Sequence, residues 1–417
     1  MQGHIRKRVH TTKDGTQTVN WYVVIDLPRD ANGKRRQRWH GGFHTRKEAE
    51  AARAKIVYEF NTGIYVEPTA TTLDEWVQWH WLPTVQGRVK PSTFDSYRRN
   101  MELHVLPQLG RRQLRQLTPA VLNRLYADLM SNGHRKTAGG LSPKTVRYVH
   151  TILHKALSDA VDAGMVGVNV AERAKPPRPR ASGANEISFW EPHQLREFLE
   201  SVRGHRLEAA WHLAAMTGMR RGEILGLRWK DVDLEASRIS VRQALVSVGY
   251  EVITSSPKSH QARVIDLDPG TEQEPKDHGD RQAKEREEWG TDYQDNGLVF
   301  CREDGSPIHP HSLSQSFERL VKKSGLPRIR LHDLRHTHAT IAIRAGVPVK
   351  VISERLGHET PAFTLKQYAH VIPGMQAEAA NRIAEILEES RPPDEPDEDE
   401  PSQPTDTLSK EDDSDDT

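Results

Sequence analysis

The sequence predicts a multidomain protein with a small α+β module, an all-α bundle and a mainly helical α+β domain, followed by a disordered acidic tail. Its 417 residues are enough for two to four domains of ~100–200 residues each. The spacing of apolar residues changes from strand-like to helical after the first module, and a proline-rich segment later interrupts the helical pattern. The expected divisions are a first module at 1–65, a helical domain at 72–173, a linker at 174–185, a third domain at 186–389 and the tail at 390–417.

Charge is distributed unevenly along the chain. The tail contains 12 Asp and Glu against two basic residues, Arg391 and Lys410, so residues 1–389 carry 57 Lys and Arg against 46 Asp and Glu. A basic body suits a polyanionic partner such as nucleic acid, although net charge alone fits many surface-binding proteins. The tail has almost no apolar side chains to bury, and we therefore expect it to be disordered.

Several classes of protein are disfavoured by what the sequence lacks. No apolar run approaches the ~18–20 residues that span a bilayer, and residues 1–8 lack the apolar segment of a signal peptide. We therefore expect a cytoplasmic protein without a membrane partner. The patterns HExxH, CxxC and GxxxxGK followed by Ser or Thr do not occur, and we expect no cofactor and no metal. Cys301 has no cysteine partner and is predicted to be a buried apolar residue.

The sequence of the first module predicts three strands and a helix. The strands cover 3–10, 18–27 and 34–43, and Thr45 is placed to cap a helix that starts at Arg46. The module carries 13 Lys and Arg against 6 Asp and Glu. Aromatic residues lie between the basic ones, which suits a sheet that binds nucleic acid but also suits the core of a small sheet. The candidates for DNA binding are in the third strand: Lys34, Arg35, Arg36 and Arg38.

The sequence of the second domain predicts a bundle of four helices. Thr72 begins a capping box, and Thr118 and Ser142 each precede a proline at a predicted helix start. Apolar residues recur at helical spacing between these signals. The loop between the third and fourth helices is basic, and Arg135 and Lys136 in it are candidates for DNA contacts if the domain binds DNA.

The third domain carries residues that suit phosphate chemistry, beginning at a predicted helix junction. Gly218 ends one helix, so Arg220 stands where a guanidinium can point into a cleft, with Glu223 three residues further on. Next, two strand-like runs at 251–255 and 262–267 predict a hairpin that carries Lys258 at its tip.

A charged stretch at 271–289 predicts a surface helix, and the last part of the domain contains histidines and a tyrosine. His332 and Arg335 are three residues apart and share one face of a predicted helix. His332 and His336 have the spacing of a zinc pair, but the glutamate of a metalloprotease motif and a nearby thiolate are missing. His358 and Tyr368 follow, and Tyr368 taken alone would be read as a half-buried tyrosine.

Taken together, the order of these residues resembles the catalytic domain of tyrosine recombinases, the phage integrase family. The matching residues are, in chain order, Arg220, Lys258, His332, Arg335, His358 and Tyr368. The resemblance covers 186–389 strongly, the helical domain moderately and the first module weakly. It implies an arm-type DNA-binding module at 1–65, a core-binding, SAM-like domain at 72–173 and a tyrosine-recombinase catalytic domain at 186–389.

The resemblance implies a site-specific recombinase that cleaves and rejoins DNA through a 3′-phosphotyrosine on Tyr368. Arginine forks suit the negative charge that builds on the phosphate oxygens, and Arg220 and Arg335 would hold it, with His332 or His358 as a further donor. Lys258 would protonate the departing 5′ oxygen, and Glu223 would support the cleft.

Related functions and several partners follow from the same resemblance. The alternatives are a dimer-resolving recombinase, an enzyme like a type IB topoisomerase, and a DNA-binding protein that no longer cleaves. The separate first module favours an integrase of a mobile element or prophage over a dimer resolvase. Implied partners are double-stranded DNA attachment sites, a homo-tetramer on DNA, and a directionality factor or host DNA-bending protein. A final helix at about 374–389 is expected to dock on a neighbouring subunit or to pack on its own domain.

Overall fold

The structure, a computed structural model, describes residues 3–11, 17–27, 33–34, 36–62, 70–134, 139–178, 188–256, 262–368 and 375–389. The predicted disordered tail and the second half of the predicted linker lie outside these described residues. So do four candidate site residues: Arg35, Arg135, Lys136 and Lys258. No helix in the described part of the chain is both long and apolar enough to cross a membrane.

The first module is a three-stranded antiparallel sheet with a helix on one face, as predicted. The strands are β1 Gly3–Thr11, β2 Gln17–Leu27 and β3 Arg36–Phe43 in the order β1-β2-β3, and the helix is α1 Arg46–Asn61. Thr45 caps α1, because its hydroxyl accepts a hydrogen bond from the Glu48 amide at 3.2 Å. Val23, Ile25 and Ala49 form the buried core between sheet and helix.

The second domain is a four-helix bundle, which confirms the prediction. The first helix runs through α2 Leu73–Glu75, a π-helical turn Trp76–Trp81 and α3 Leu82–Gln86; the second runs through α4 Pro91–Asn100, a π-helical turn Met101–Val105 and α5 Leu106–Leu109; the third and fourth are α6 Pro119–Asn132 and α7 Pro143–Asp162. Two buried indoles tie the first helix to α7: Trp76 donates to the Ala156 carbonyl at 3.0 Å, and Trp81 donates to Asp159 at 2.7 Å.

Both π-helical turns precede a Leu-Pro pair, and the proline explains them. Leu82 and Leu106 each donate a hydrogen bond to the carbonyl five residues back. Pro83 and Pro107 follow directly, and a proline inside a helix has no N–H and clashes with the carbonyl four residues earlier. A wider turn relieves this clash without ending the helix.

The third domain is mainly helical with two small sheets. Its elements are α8 Pro192–Ser201, α9 Glu208–Thr217, α10 Arg221–Leu225, β4 Val232–Asp233, β5 Arg238–Val241, β6 Ala244–Val248, β7 Glu251–Ser255, β8 Arg263–Asp266, α11 Pro269–Trp289, α12 Pro310–Ser324, α13 Asp333–Arg344, α14 Val349–Leu356, α15 Pro361–Tyr368 and α16 Met375–Glu389. Helix α9 packs against α11 and α13. The core contains a cluster of large aromatic side chains: Trp190, Phe198, Trp211 and Phe317.

The hairpin predicted between 251–255 and 262–267 is wrong. Both runs form strands, but β7 pairs with β6, and β8 pairs with β5 in a separate sheet of order β4-β5-β8. The cause is β6, which precedes β7 in the chain and supplies its antiparallel partner. Lys258, predicted at a hairpin tip, therefore falls in the sequence between strands of two different sheets.

The surface helix predicted at 271–289 is confirmed as α11, although one of its faces is buried. His278 bonds to the Val299 carbonyl at 2.8 Å, and Gln282 donates to the Cys301 sulfur at 2.8 Å. Cys301 is buried, as predicted.

The predicted final helix is confirmed as α16. Its apolar residues Ile383, Ile386 and Leu387 are 60%, 60% and 67% exposed. The part of α16 whose side chains are described, 380–388, is exposed throughout.

Candidate active site

Arg220 is positioned by the sharp end of α9. Gly218 follows the helix with φ +63°, a conformation that favours glycine, and a Cβ there would lie 2.6 Å from Leu356 and 2.9 Å from His338. The chain then turns directly into α10, with Arg220 at its N-terminal cap. The structure therefore places Arg220 at a helix junction, as predicted.

A buried carboxylate fixes the Arg220 side chain. Glu223 is 1% exposed and accepts hydrogen bonds from the Arg220 amide at 2.9 Å and from Arg220 Nη1 at 2.8 Å. It also accepts two hydrogen bonds from Arg263, at 2.6 Å and 3.1 Å. Burial opposes ionisation of Glu223, but the hydrogen bonds and charges of the two arginines outweigh it and lower its pKa to about 2. Glu223 is therefore an anion shared by two cations.

Sequence reasoning missed Arg263. It lies at the start of β8, and its Nε also donates to the Arg355 carbonyl at 2.8 Å. Gly357 approaches it closely, because a Cβ at this residue, where φ is +64°, would lie 2.9 Å from Arg263 Nη1. A charged residue at the first position of a strand is not unusual in a sequence, so only the pairing of β8 with β5 reveals the inward direction of Arg263.

The Arg335 guanidinium is almost completely buried beside Arg220. It is 3% exposed, and its Nη1 donates to the Gly218 carbonyl at 2.8 Å. Its Nη2 has no hydrogen-bond partner among the described residues. Burial and the Arg220 charge lower the pKa of Arg335 to about 9, so it remains a cation at neutral pH. A buried guanidinium with an unsatisfied donor indicates an anion site.

Arg220 and Arg335 line a cleft of about 560 Å³. The cleft is lined by Arg220, His332, Arg335, His336, Gly357, His358, Glu359, Phe363, Gln367 and Tyr368. The structure thus brings together five of the six predicted catalytic residues, with the predicted supporting residue Glu223 directly behind Arg220. The sixth, Lys258, lies outside the described residues.

Two histidines in the cleft are neutral at pH 7. Partial burial, with His336 and Arg335 nearby, lowers the pKa of His332 to about 4, although part of the ring stays exposed. Burial and the charges of Arg335 and Arg220 lower the pKa of His358 to about 3. His358 Nδ1 is 2.7 Å from the Thr364 hydroxyl, which fixes the ring orientation. Both rings can take part in hydrogen bonds without adding positive charge.

Tyr368 points its hydroxyl into this cleft from a buried position. Its side chain is 1% exposed and packs against Ala339, Ile343, Ile352 and Leu356. Burial raises its pKa to about 12, and the Arg335 charge opposes this rise only in part. The phenol is therefore protonated at neutral pH.

The Tyr368 hydroxyl lies 2.8 Å from His336 Nδ1. Sequence reasoning considered His336 only as half of a zinc pair with His332. Its position next to Arg335 on α13 was the available signal, because a residue beside a cleft arginine on a short helix stays near the cleft.

A second basic surface lies on the first module. Because directly opposed residues share a face of a sheet, the register places Arg6, Arg8, Tyr22 and Trp39 on the face away from α1. The Arg8 guanidinium lies 4.6 Å and that of Arg6 lies 5.6 Å from the Trp39 ring centre, and Tyr22 meets Trp39 edge to face. Sequence reasoning missed the two arginines, although their spacing of two in β1 was a signal for a shared face.

The DNA-binding candidates of the third strand lie elsewhere. Arg36 and Arg38 pair with Leu27 and Ile25, and Ile25 belongs to the core under α1, so both arginines extend from the helix-covered face. Both are exposed, as is Lys34. Their DNA contacts, like those of Arg35, stay a prediction.

The chain matches three family models in the order of its predicted domains. Residues 188–374 match the Phage integrase family, residues 8–59 match an Arm DNA-binding domain, and residues 72–130 match the Phage integrase, N-terminal SAM-like domain.

Curated relatives extend over most of the chain. A tyrosine recombinase XerC-like protein of Caldanaerobacter subterraneus subsp. tengcongensis is 28% identical over 91% of this chain and 99% of its own length. The ICEBs1 integrase of Bacillus subtilis is 25% identical over 82% of this chain and 91% of its own length.

Solved structures share the fold. The Tn1549 transposon integrase, in complex with transposon right end DNA, is 22% identical with a TM-score of 0.61, over 75% of this chain and 99% of that chain. The lambda integrase, a tetramer bound to a Holliday junction, is 16% identical with a TM-score of 0.51, over 85% of this chain and 96% of that chain. The three models and the relatives show that the chain contains a Phage integrase family domain preceded by an Arm DNA-binding domain and a SAM-like domain, and that it is similar to proteins named tyrosine recombinase or integrase.

Proposed function

We propose that this protein is a site-specific recombinase that integrates and excises a mobile DNA element by cleaving and rejoining DNA strands through a covalent 3′-phosphotyrosine on Tyr368. The observation that carries the proposal is the unsatisfied Nη2 of buried Arg335 in the cleft of Tyr368. Burying a cationic hydrogen-bond donor costs free energy unless an anion accepts its hydrogen bonds. A DNA phosphodiester is an anion of the right size and charge, and the tyrosine supplies a nucleophile beside it.

Arg220 and Arg335 hold the scissile phosphate in this mechanism. Attack by the tyrosine oxygen builds negative charge on the two non-bridging oxygens, and guanidinium forks donate paired hydrogen bonds to such oxygens. Glu223 and Arg263 keep Arg220 in place before DNA arrives, so little reorganisation is needed during the reaction. His332 and His358 add neutral donors at the rim of the cleft.

Lys258 is proposed to give a proton to the departing 5′ oxygen, an assignment that rests on the family resemblance alone. The covalent phosphotyrosine keeps the energy of the broken phosphodiester, so a 5′ hydroxyl from another strand can reverse the step without a high-energy cofactor. This reversibility is what exchange of DNA strands requires.

The first module favours an integrase over a dimer-resolving recombinase. Its open face presents Arg6, Arg8 and Trp39, which suit a DNA groove: the arginines for phosphates or base edges, and the ring for packing. We assign it to arm-type sites, separate from the core site that the catalytic domain cleaves. Arg135 and Lys136 are proposed to contact DNA from the second domain.

We propose that four copies assemble on DNA. The exposed apolar residues of α16, Ile383, Ile386 and Leu387, would be covered by a neighbouring subunit in that assembly. A directionality factor or a host DNA-bending protein would select integration or excision, and the reaction would take place in the cytoplasm of a bacterial host.

Tyr368→Phe should abolish covalent trapping of DNA, because phenylalanine has no oxygen to attack phosphorus. The measurement is a denaturing gel of the intact chain incubated with nicked duplexes from the DNA that flanks its gene. Tyr250→Phe is the matched control, since Tyr250 is an exposed tyrosine of the same domain, and it should form the adduct as the original chain does. An adduct that persists in Tyr368→Phe would refute the nucleophile.

Arg335→Ala and Arg220→Ala should each slow cleavage about 10²–10³-fold, as loss of an oxyanion donor does. DNA affinity in a gel shift should change far less, because many other phosphate contacts remain. Arg344→Ala is the control on the same helix, where it removes a surface ion pair with Glu191, and its cleavage rate should match that of the original chain. Unchanged cleavage in Arg335→Ala would remove Arg335 from the phosphate site.

Arg6→Ala combined with Arg8→Ala should weaken binding of the arm-type site. The slope of log affinity against log salt concentration should become shallower by about one unit for each phosphate contact that is lost. Cleavage of an isolated core site should be unaffected. Arg46→Ala is the control, because Arg46 lies on α1 and pairs with Glu50. A larger loss from Arg36→Ala with Arg38→Ala would instead place DNA on the helix-covered side of the sheet.

A further inference from the structure

We infer that His336 is the general base that takes the proton of Tyr368 when the tyrosine attacks DNA, an inference that rests on the proposed function. Its Nδ1 lies 2.8 Å from the tyrosine oxygen, within the reach required of a base. His332, the N-terminal cap of the same helix, also lines the cleft but stands at its exposed rim.

The direction of the hydrogen bond follows from the chemistry of its neighbours. With a pKa of about 12, only about one Tyr368 in 10⁵ is ionised at pH 7, so the hydroxyl carries a hydrogen that needs an acceptor. Arg335, whose charge acts on Tyr368, can only donate hydrogen bonds. We therefore assign the Nδ1 of His336 as the acceptor of this hydrogen bond.

A base is needed because DNA makes ionisation of Tyr368 harder. The cleft cations do not outweigh burial, since the pKa of Tyr368 is raised with Arg335 already beside it. When a phosphate binds Arg335, its negative charge neutralises part of that help. Transfer of the proton to a neighbouring ring during attack avoids a free phenolate beside the phosphate.

The proposed step conserves atoms and charge. The O–H bond of Tyr368 breaks, its proton moves to His336 Nδ1, and the tyrosine oxygen bonds to phosphorus. The bond from phosphorus to the 5′ oxygen breaks, and that oxygen takes a proton from the general acid, assigned to Lys258. In rejoining, the incoming 5′ hydroxyl gives its proton back to the amine, and imidazolium His336 returns the first proton to the departing tyrosine.

Rigidity of α13 serves this role. Arg335 and His336 are consecutive in the helix, so the group that holds phosphate and the group that takes the proton keep a fixed separation. Tyr368 comes from α15 and packs on Ala339 and Ile343 of α13, which brings its hydroxyl to His336.

The described charged and titratable groups that act on His336 come from three elements. On α13 and its cap these are His332, with ring centres 5.2 Å apart, Asp333 and Arg335. Tyr368 faces it from α15, with ring centres 5.7 Å apart, and His358 follows α14. The pKa values of His332 and His358 lie well below 7, so neither histidine adds a positive charge that would oppose protonation of His336.

The test is single-turnover cleavage of core-site DNA in which sulfur replaces the bridging 5′ oxygen. The thiolate leaves without a general acid, so the rate reports the tyrosine side of the reaction. His336→Asn is the decisive variant, because its amide oxygen can accept the tyrosine hydrogen bond but cannot take the proton. The cleavage rates of His336→Asn and His336→Ala at pH 7 should both be about 10²–10⁴-fold lower than that of the original chain, which is the usual contribution of a general base. His193→Asn, an exposed histidine of α8, is the control and should cleave normally.

The dependence on pH separates a base from a structural residue. In His336→Asn the rate should rise about tenfold per pH unit, because hydroxide must take the proton, whereas the original chain should level off. Cleavage by His336→Asn within threefold of the original chain, or a loss that is equal at every pH, would overturn the inference. If the original chain itself forms no adduct on this DNA while binding it, the proposed function fails instead.

Discussion

The buried ion pair between Glu223 and two arginines is the interaction on which the catalytic cleft depends. Three guanidiniums, from Arg220, Arg263 and Arg335, lie close together, and without an anion their repulsion and desolvation would open the cleft. The Glu223 carboxylate has a pKa well below that of an unfolded glutamate, so its stabilisation is complete above pH 4.5 and is lost as pH falls toward about 2. Arg335 lies outside this pair, and its Nη2 has no hydrogen-bond partner among the described residues.

Burial and this arrangement of charge together set the protonation of His332, His358 and Tyr368. Nearby cations and burial keep His332 and His358 neutral, and burial keeps Tyr368 protonated. The Tyr368 hydroxyl is therefore protonated, and its oxygen lies 2.8 Å from His336 Nδ1. In the proposed mechanism, a phosphate in the cleft would accept hydrogen bonds from Arg220 and Arg335, and His336 would take the proton of Tyr368.

Much of this could be predicted from sequence, because local signals and motif order were strong. Helix caps such as Thr45 and Thr118 and the glycine at 218 fixed the helix ends, and the spacing of the catalytic residues indicated the cleft. The features that could not be predicted depended on pairing across space. The inserted strand β6 changed the partner of β7, the inward direction of Arg263 followed from β8 joining β5, and the face of Arg36 followed from strand register. No local pattern in the sequence contains those choices.

The most direct test of the central claim is a crystal structure of the protein with core-site DNA and vanadate, which takes the geometry of the phosphate during attack. Vanadium bonded to the Tyr368 oxygen, with its equatorial oxygens within hydrogen-bond distance of Arg220 and Arg335, is the predicted result. The Glu223 carboxylate should still join Arg220 to Arg263. A vanadate held by other residues, or Arg220 turned away from Glu223 to reach it, would contradict the claim that this ion pair fixes the phosphate site.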